Sequence, residues 1–209
     1  ALCISAGAPG ELWTGPSFFD RKWADEDPTP RFNGVDFDPA YLCEHGVENR
    51  VVAGKPGEPA MEEVLPGLFV LNGFARVHPS ERPNPRFLVD RPASREEDDF
   101  RDEVCLVAET ARGLVVVLGC AHPGIMNMLE TVASVFGKAP YAVFGGSHLL
   151  EADEERLELT TRFLEKLDAA SGGAFIAGLG HCTGKRAGAY LSERVRGYVP
   201  LQTGAHFTL

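Results

Sequence analysis

No stretch of these 209 residues approaches the roughly 20 consecutive apolar residues that a helix needs to cross a bilayer. Nor does the chain open on a charged segment followed by an apolar one. It is therefore expected to carry no signal peptide and to work in the cytoplasm. Positive charge is scarce: 20 Lys and Arg stand against 30 Asp and Glu, a formal net charge of −10. That balance argues against nucleic-acid or anionic-membrane partners, which are held by Lys and Arg through counterion release. A small anionic substrate stays open, because a metal ion reverses the local field. Cysteine is sparse and odd in number (Cys3, Cys43, Cys105, Cys120, Cys182), with no CxxC pair. A disulfide framework is not expected, in keeping with a reducing compartment. There is no internal repeat and no low-complexity tract.

What is present suits one globular domain over 1–209, 44% hydrophobic and 24% charged. Proline divides it unevenly, 12 of 15 falling before residue 93. Residues 1 to about 100 read as irregular, packed by aromatics such as Trp13, Phe18, Trp23 and Phe37. Short strands are expected within them at 50–53, 61–65 and 68–71, and a polar loop over 79–101. Residues from about 101 onward read as regular. A hairpin over 103–109 and 114–118 is followed by a helix from Ile125 to Phe136, a strand at 141–144 and a helix at 153–169. A strand at 174–178 and a helix at 185–195 complete the β-α-β alternation of a sheet with crossover helices.

Three of the six histidines share one local setting, the end of an apolar strand on a glycine-bearing turn before a helix. They are His122 in Gly119-Cys120-Ala121-His122-Pro123-Gly124, His148 in Gly145-Gly146-Ser147-His148, and His181 in Gly180-His181-Cys182-Thr183-Gly184. Turns after parallel strands open on the same edge of a sheet. Imidazoles gathered there point to a metal or acid–base site. Cys120 and His122, two apart in extended backbone, present a thiol and an imidazole to one side, a pair suited to zinc. The bland alternatives are a buried apolar Cys120 and turn or capping histidines. His45, His78 and His206 read as solvated or core residues. Arg76, after Gly73-Phe74-Ala75, is the candidate anion contact in the first half, against a plain surface arginine. Asp99 or Asp102 could line the site.

Several islands, taken in order, resemble metallo-β-lactamase-fold proteins of the dihydropterin–ribofuranosylaminobenzene phosphate synthase-like branch. Residues 113–127 are similar to its "GLVVxxGCSHxGIxN" segment, and 141–149 to its "GGFHL", with Ser147 in place of Phe. Gly180–Gly184 carries its "HCTG". Residues 62–76 resemble "LPGVxxTGEIPR", and Asp102-Glu103 with Cys105-Leu106-Val107 resembles "DExxLV". The resemblance implies an α/β fold, the αββα metallo-β-lactamase sandwich, with a site for one or two divalent ions. Zinc is the expected ion, with iron or manganese as alternatives. It implies His122 and His181 as metal ligands, Cys120 at the place of a bridging Asp, and His148 as a nearby ligand or substrate contact. The family's HxHxDH loop is absent, and no HxH occurs anywhere in the chain. The resemblance therefore implies an N-terminally truncated copy of the fold.

The function so implied is the C-terminal portion of a metal-dependent hydrolase acting on a small molecule, phosphorylated or an ester. Two rivals stand beside it. One is a hydrolase using Cys120 as nucleophile with His148 or His181 as base. The other is a degenerate, non-catalytic binding domain. Oligomeric state is left open.

Overall fold

The computed structural model describes residues 2–4 and 10–208. Residues 1 and 5–9, in the stretch read as irregular, and the side chain of Cys3 lie outside the described residues. In chain order the first half runs β1 (Leu2–Ile4), β2 (Glu11–Thr14), β3 (Lys22–Ala24), β4 (Arg31–Phe32), helix α1 (Pro39–Glu44) and β5 (Glu48–Val51). It continues with β6 (Ala60–Leu65), β7 (Leu68–Asn72), β8 (Phe87–Asp90) and β9 (Arg95–Glu97). The second half runs β10 (Cys105–Thr110), β11 (Gly113–Leu118), α2 (Ile125–Phe136) and β12 (Pro140–Gly146). After these come α3 (Glu154–Ala170), β13 (Ile176–Gly180), α4 (Gly184–Arg194) and β14 (Tyr198–Leu201).

The expected alternation in the second half is present, with boundaries moved by a residue or two. The first half needs correction. Instead of irregular chain it holds two small sheets, one of order β1-β2-β5 and one of order β4-β3-β8-β9. The stretch 79–101, read as a polar loop, contains β8 and β9. Phe87-Leu88-Val89 alternates buried and half-buried side chains and pairs antiparallel with β3. The run is too short, and too closely flanked by proline and arginine, for its period to show in sequence.

The third sheet has seven strands in the order β14-β13-β12-β11-β10-β7-β6. Strands β11 to β14 pair in parallel. Strands β6, β7, β10 and β11 pair antiparallel. Leu114, Val116 and Leu118 project to one face of β11 and join a core with Ile125, Met128 and Leu129 of α2, Leu157 and Leu164 of α3, and Leu191 of α4. All three crossover helices thus cover the same face. Val117, pointing the other way, stays 42% exposed. Burying each large apolar side chain of that core contributes on the order of 1.5–3 kcal/mol.

Helix α2 starts at Gly124 without a side-chain cap of its own. Glu81 takes that role from 45 residues upstream, accepting from the amides of Met126 and Asn127 at 2.9 and 2.7 Å. Helix α3 is capped by Asp153, which accepts from the Arg156 amide at 2.8 Å. Cys43, Cys105, Cys120 and Cys182 are free thiols. Among the described residues no helix is long and apolar enough to cross a membrane.

Candidate functional site

Strands β11, β12 and β13 are parallel neighbours, so their carboxyl ends share one edge of the sheet. His122, His148 and His181 all follow those ends, as the turn pattern predicted. The turns are tied together: the Gly146 amide donates to the Gly119 carbonyl at 2.8 Å, and the Leu150 amide to the Cys182 carbonyl at 3.0 Å. A side chain at Gly146 would meet the Cys182 sulfur at 2.5 Å, so close packing demands glycine there. Backbone strain collects at the same edge. Phe100, Ala121, His148 and His181 all adopt positive φ, at 48°, 58°, 47° and 51°. Such conformations cost of order 1–3 kcal/mol each and persist where the surroundings enforce them, commonly at functional sites.

His122 is the best-defined group. Its Nδ1 lies 2.7 Å from Glu103 Oε2. A carboxylate only accepts, so Nδ1 carries a proton and Nε2 faces away from Glu103, the orientation of a metal-ligating imidazole backed by a carboxylate. Its ring lies flat on Phe100, with centroids 4.2 Å apart and planes within 4°. Phe87 meets it edge-on at 6.0 Å, and the His148 ring lies 4.8 Å away. Burial alone would raise the Glu103 carboxyl, but the bond to His122 and its charge hold it below the usual range. Burial, then the neighbouring His122, lowers His148 to about 4, so that ring is neutral near pH 7.

The support beneath Glu103 comes from the first half of the chain. Asn72, 1% exposed, donates to the carbonyls of Arg101 and Glu103 at 2.8 and 2.7 Å and accepts from the Gly54 amide at 3.0 Å. Lys22 of β3 pairs with Asp98 at 3.0 Å and also with Asp102, and its ammonium sits 5.3 Å from the Phe100 ring centre. Burial opposes the charge on Lys22, yet Asp102 and Asp98 outweigh it and raise the group.

Cys120 and Cys182 meet between the turns. The Cys182 sulfur lies 3.3 Å from the His148 amide and 3.3 Å from the Cys120 carbonyl. A hydrogen bond from Cys120 is the main influence drawing Cys182 down to about 6, while Cys120 itself is pushed up. His181 is exposed beside Cys182 and lines a cavity of about 430 Å³ with Gly184, Lys185 and Gln202.

The edge therefore carries His122, His148, His181 and Cys120 together, with His122 and His148 in ring contact. Among the described residues, no three His, Cys, Asp or Glu side chains converge closely enough to hold an ion. The donor chemistry at His122 fits one corner of a metal centre, and the residues described do not close the shell around it. Arg76 lies near this edge, lining a small cleft with Phe100 and Pro123 and donating to the Asp99 carbonyl. His45 bonds the Tyr41 carbonyl on α1, His78 pairs with Glu130, and His206 is exposed. Sequence reasoning missed Glu103, Phe87, Phe100 and Asn72 as site-builders. Glu103 and Asn72 had a signal, their places in the "DExxLV" and "LPGVxxTGEIPR" islands.

No family model matches the chain. Over 91 residues, 43% of its length, the chain is 42% identical to the 7,8-dihydropterin-6-methyl-4-(β-D-ribofuranosyl)-aminobenzene-5′-phosphate synthase of Methanocaldococcus jannaschii. The aligned part covers 29% of that relative. A crystal structure of a metal-dependent hydrolase of the β-lactamase superfamily superposes with a TM-score of 0.76 at 26% identity, covering 93% of this chain and 69% of that one.

Proposed function

Because the chain has the metallo-β-lactamase fold, with motifs of the dihydropterin–ribofuranosylaminobenzene phosphate synthase-like branch, we propose that it forms part of a metal-dependent hydrolase. Its substrate would be a small-molecule ester or phosphoester. The observation that carries the reading is the Glu103-backed imidazole of His122, with His148 packed beside it at 4.8 Å. His122 and His181 would hold a divalent ion, zinc or else iron or manganese, with Cys120 and His148 completing or tuning the set. A bound ion supplies Lewis acidity toward a carbonyl or phosphoryl oxygen and acidity to water.

The chain's own groups do the rest. Glu103 fixes the tautomer and plane of His122. His148, neutral near pH 7, accepts a hydrogen bond without first losing a proton. Phe100 stacks on the face of His122, and Phe87 meets both rings edge-on, which fixes their planes. Arg76 offers a cation near the same edge. The name of the M. jannaschii relative favours a second reading, bond formation in place of hydrolysis at the same site.

The test is equilibrium dialysis with elemental analysis, using zinc, manganese and iron(II) in turn. We expect saturable but weak binding, because the described residues leave the shell open, lost in His122→Ala and His181→Ala and weakened about 10- to 100-fold in Glu103→Gln. Turnover of p-nitrophenyl phosphate or acetate should be stopped by chelators. Binding unchanged in His122→Ala would remove the reading. Activity lost to alkylation but not to chelators would transfer it to the cysteines.

A further inference from the structure

Helix α3 turns Arg156, Leu159, Arg162, Phe163 and Lys166 toward the loop at His78–Ser80, and a cavity of about 740 Å³ lies between them. Leu159 and Phe163, with Met126, give it an apolar wall. Arg162 is already matched by Glu158 at 2.7 Å. Arg156 is not. Its Nε is shielded from solvent and has no hydrogen-bond partner among the described residues. The acids whose charge reaches it are Glu81 and Asp153. Both are committed elsewhere: Glu81 accepts from two α2 amides with its two oxygens, and Asp153 caps α3. Glu151, at the cavity rim, is taken by Arg86 at 3.1 Å and Asn84 at 2.6 Å. Burial opposes the charge on Arg156 and lowers it; Glu81 and Asp153 offset this only in part, through charge at a distance, and its Nε gains no hydrogen bond from the described residues.

The cavity adjoins the histidine edge. Glu151 and Ala152 line it only a few residues beyond His148, and the Arg156 charge is felt at that ring. A guanidinium presents its donors as a planar fork that matches a phosphate or carboxylate.

We propose that Arg156 anchors the oxyanion of a small molecule whose apolar body lies along Leu159 and Phe163. This deepens the hydrolase reading and rests on it only for calling the ligand a substrate; the binding itself requires no metal.

Calorimetric titration of the metal-free full chain with phenyl phosphate, benzoate and phenol tests it. Both anions should bind at least about tenfold tighter than phenol, and Arg156→Gln should erase that preference. Phosphate and carboxylate are told apart by which anion binds tighter. In the unmutated protein, phenyl phosphate and not phenol should slow phenylglyoxal modification of Arg156, mapped by mass spectrometry. This second measurement holds even if the variant folds poorly. Equal phenyl phosphate affinity in folded Arg156→Gln, or an Arg156 left unprotected by phenyl phosphate, would overturn the proposal. His122→Ala should lose metal and keep phenyl phosphate, so a failure of the metal reading would be seen separately.

Discussion

An imidazole with a carboxylate on one nitrogen and a phenyl ring against its face has one direction left for chemistry, and His122 is in that position. Its neighbour His148 gives a pH test. The ring ordinarily titrates at 6.5, and in the folded protein burial lowers it to about 4. Below pH 6.5 the unfolded chain takes up a proton that the folded chain refuses until about 4. The stability contributed is thus full above pH 6.5 and is lost as pH falls through that window. With a discount for partial exposure the loss is about 1–2 kcal/mol. Urea unfolding of the metal-free protein at about pH 7 and about pH 4.5 should show His148→Gln losing less stability than the parent by that amount. The histidines themselves were legible in sequence, because a glycine turn after an apolar run is a local pattern. Phe87 and Phe100 were not, because ring contacts with residues 22 to 61 positions away follow no period.

At the level of elements, the second half was readable because each strand and helix is long enough to show its own spacing. The first half was readable only in part: β6 and β7 stand where strands were expected at 61–65 and 68–71, whereas its strands of two to four residues are held by cross-chain bonds that sequence does not display. Asn72 is the clearest of these, closing β7 onto the 54 turn and onto the segment carrying Glu103. Asn72→Ala would leave the Gly54 amide and two carbonyls unpaired in a buried place. It should cost about 2–4 kcal/mol, read from denaturant midpoints. The same variant should loosen Glu103 and so weaken metal retention. Glu81 belongs to this class too, a helix cap supplied from 45 residues away where local capping rules find only Gly124.

For the molecule as a whole, the large sheet is covered by helices on one face, and adjacent residues of β11 report the difference. Val116 is fully buried among α2, α3 and α4, whereas Val117 is 42% exposed. Val116→Ala should cost about 2–3 kcal/mol and Val117→Ala less than about 1 kcal/mol, compared by thermal or denaturant unfolding. The metallo-β-lactamase-like α/β class was legible through the resemblance carried by the motif islands, and the shared edge for three histidines through glycine turns tied to strand ends. Whether they meet depended on packing from the proline-rich half. Each histidine loop also hangs from an interior strand, since β11, β12 and β13 all have partners on both flanks while β14 and β6 form the rims. Warming would therefore peel the margins first, and the anchor points of the imidazoles would be among the last to lose their footing.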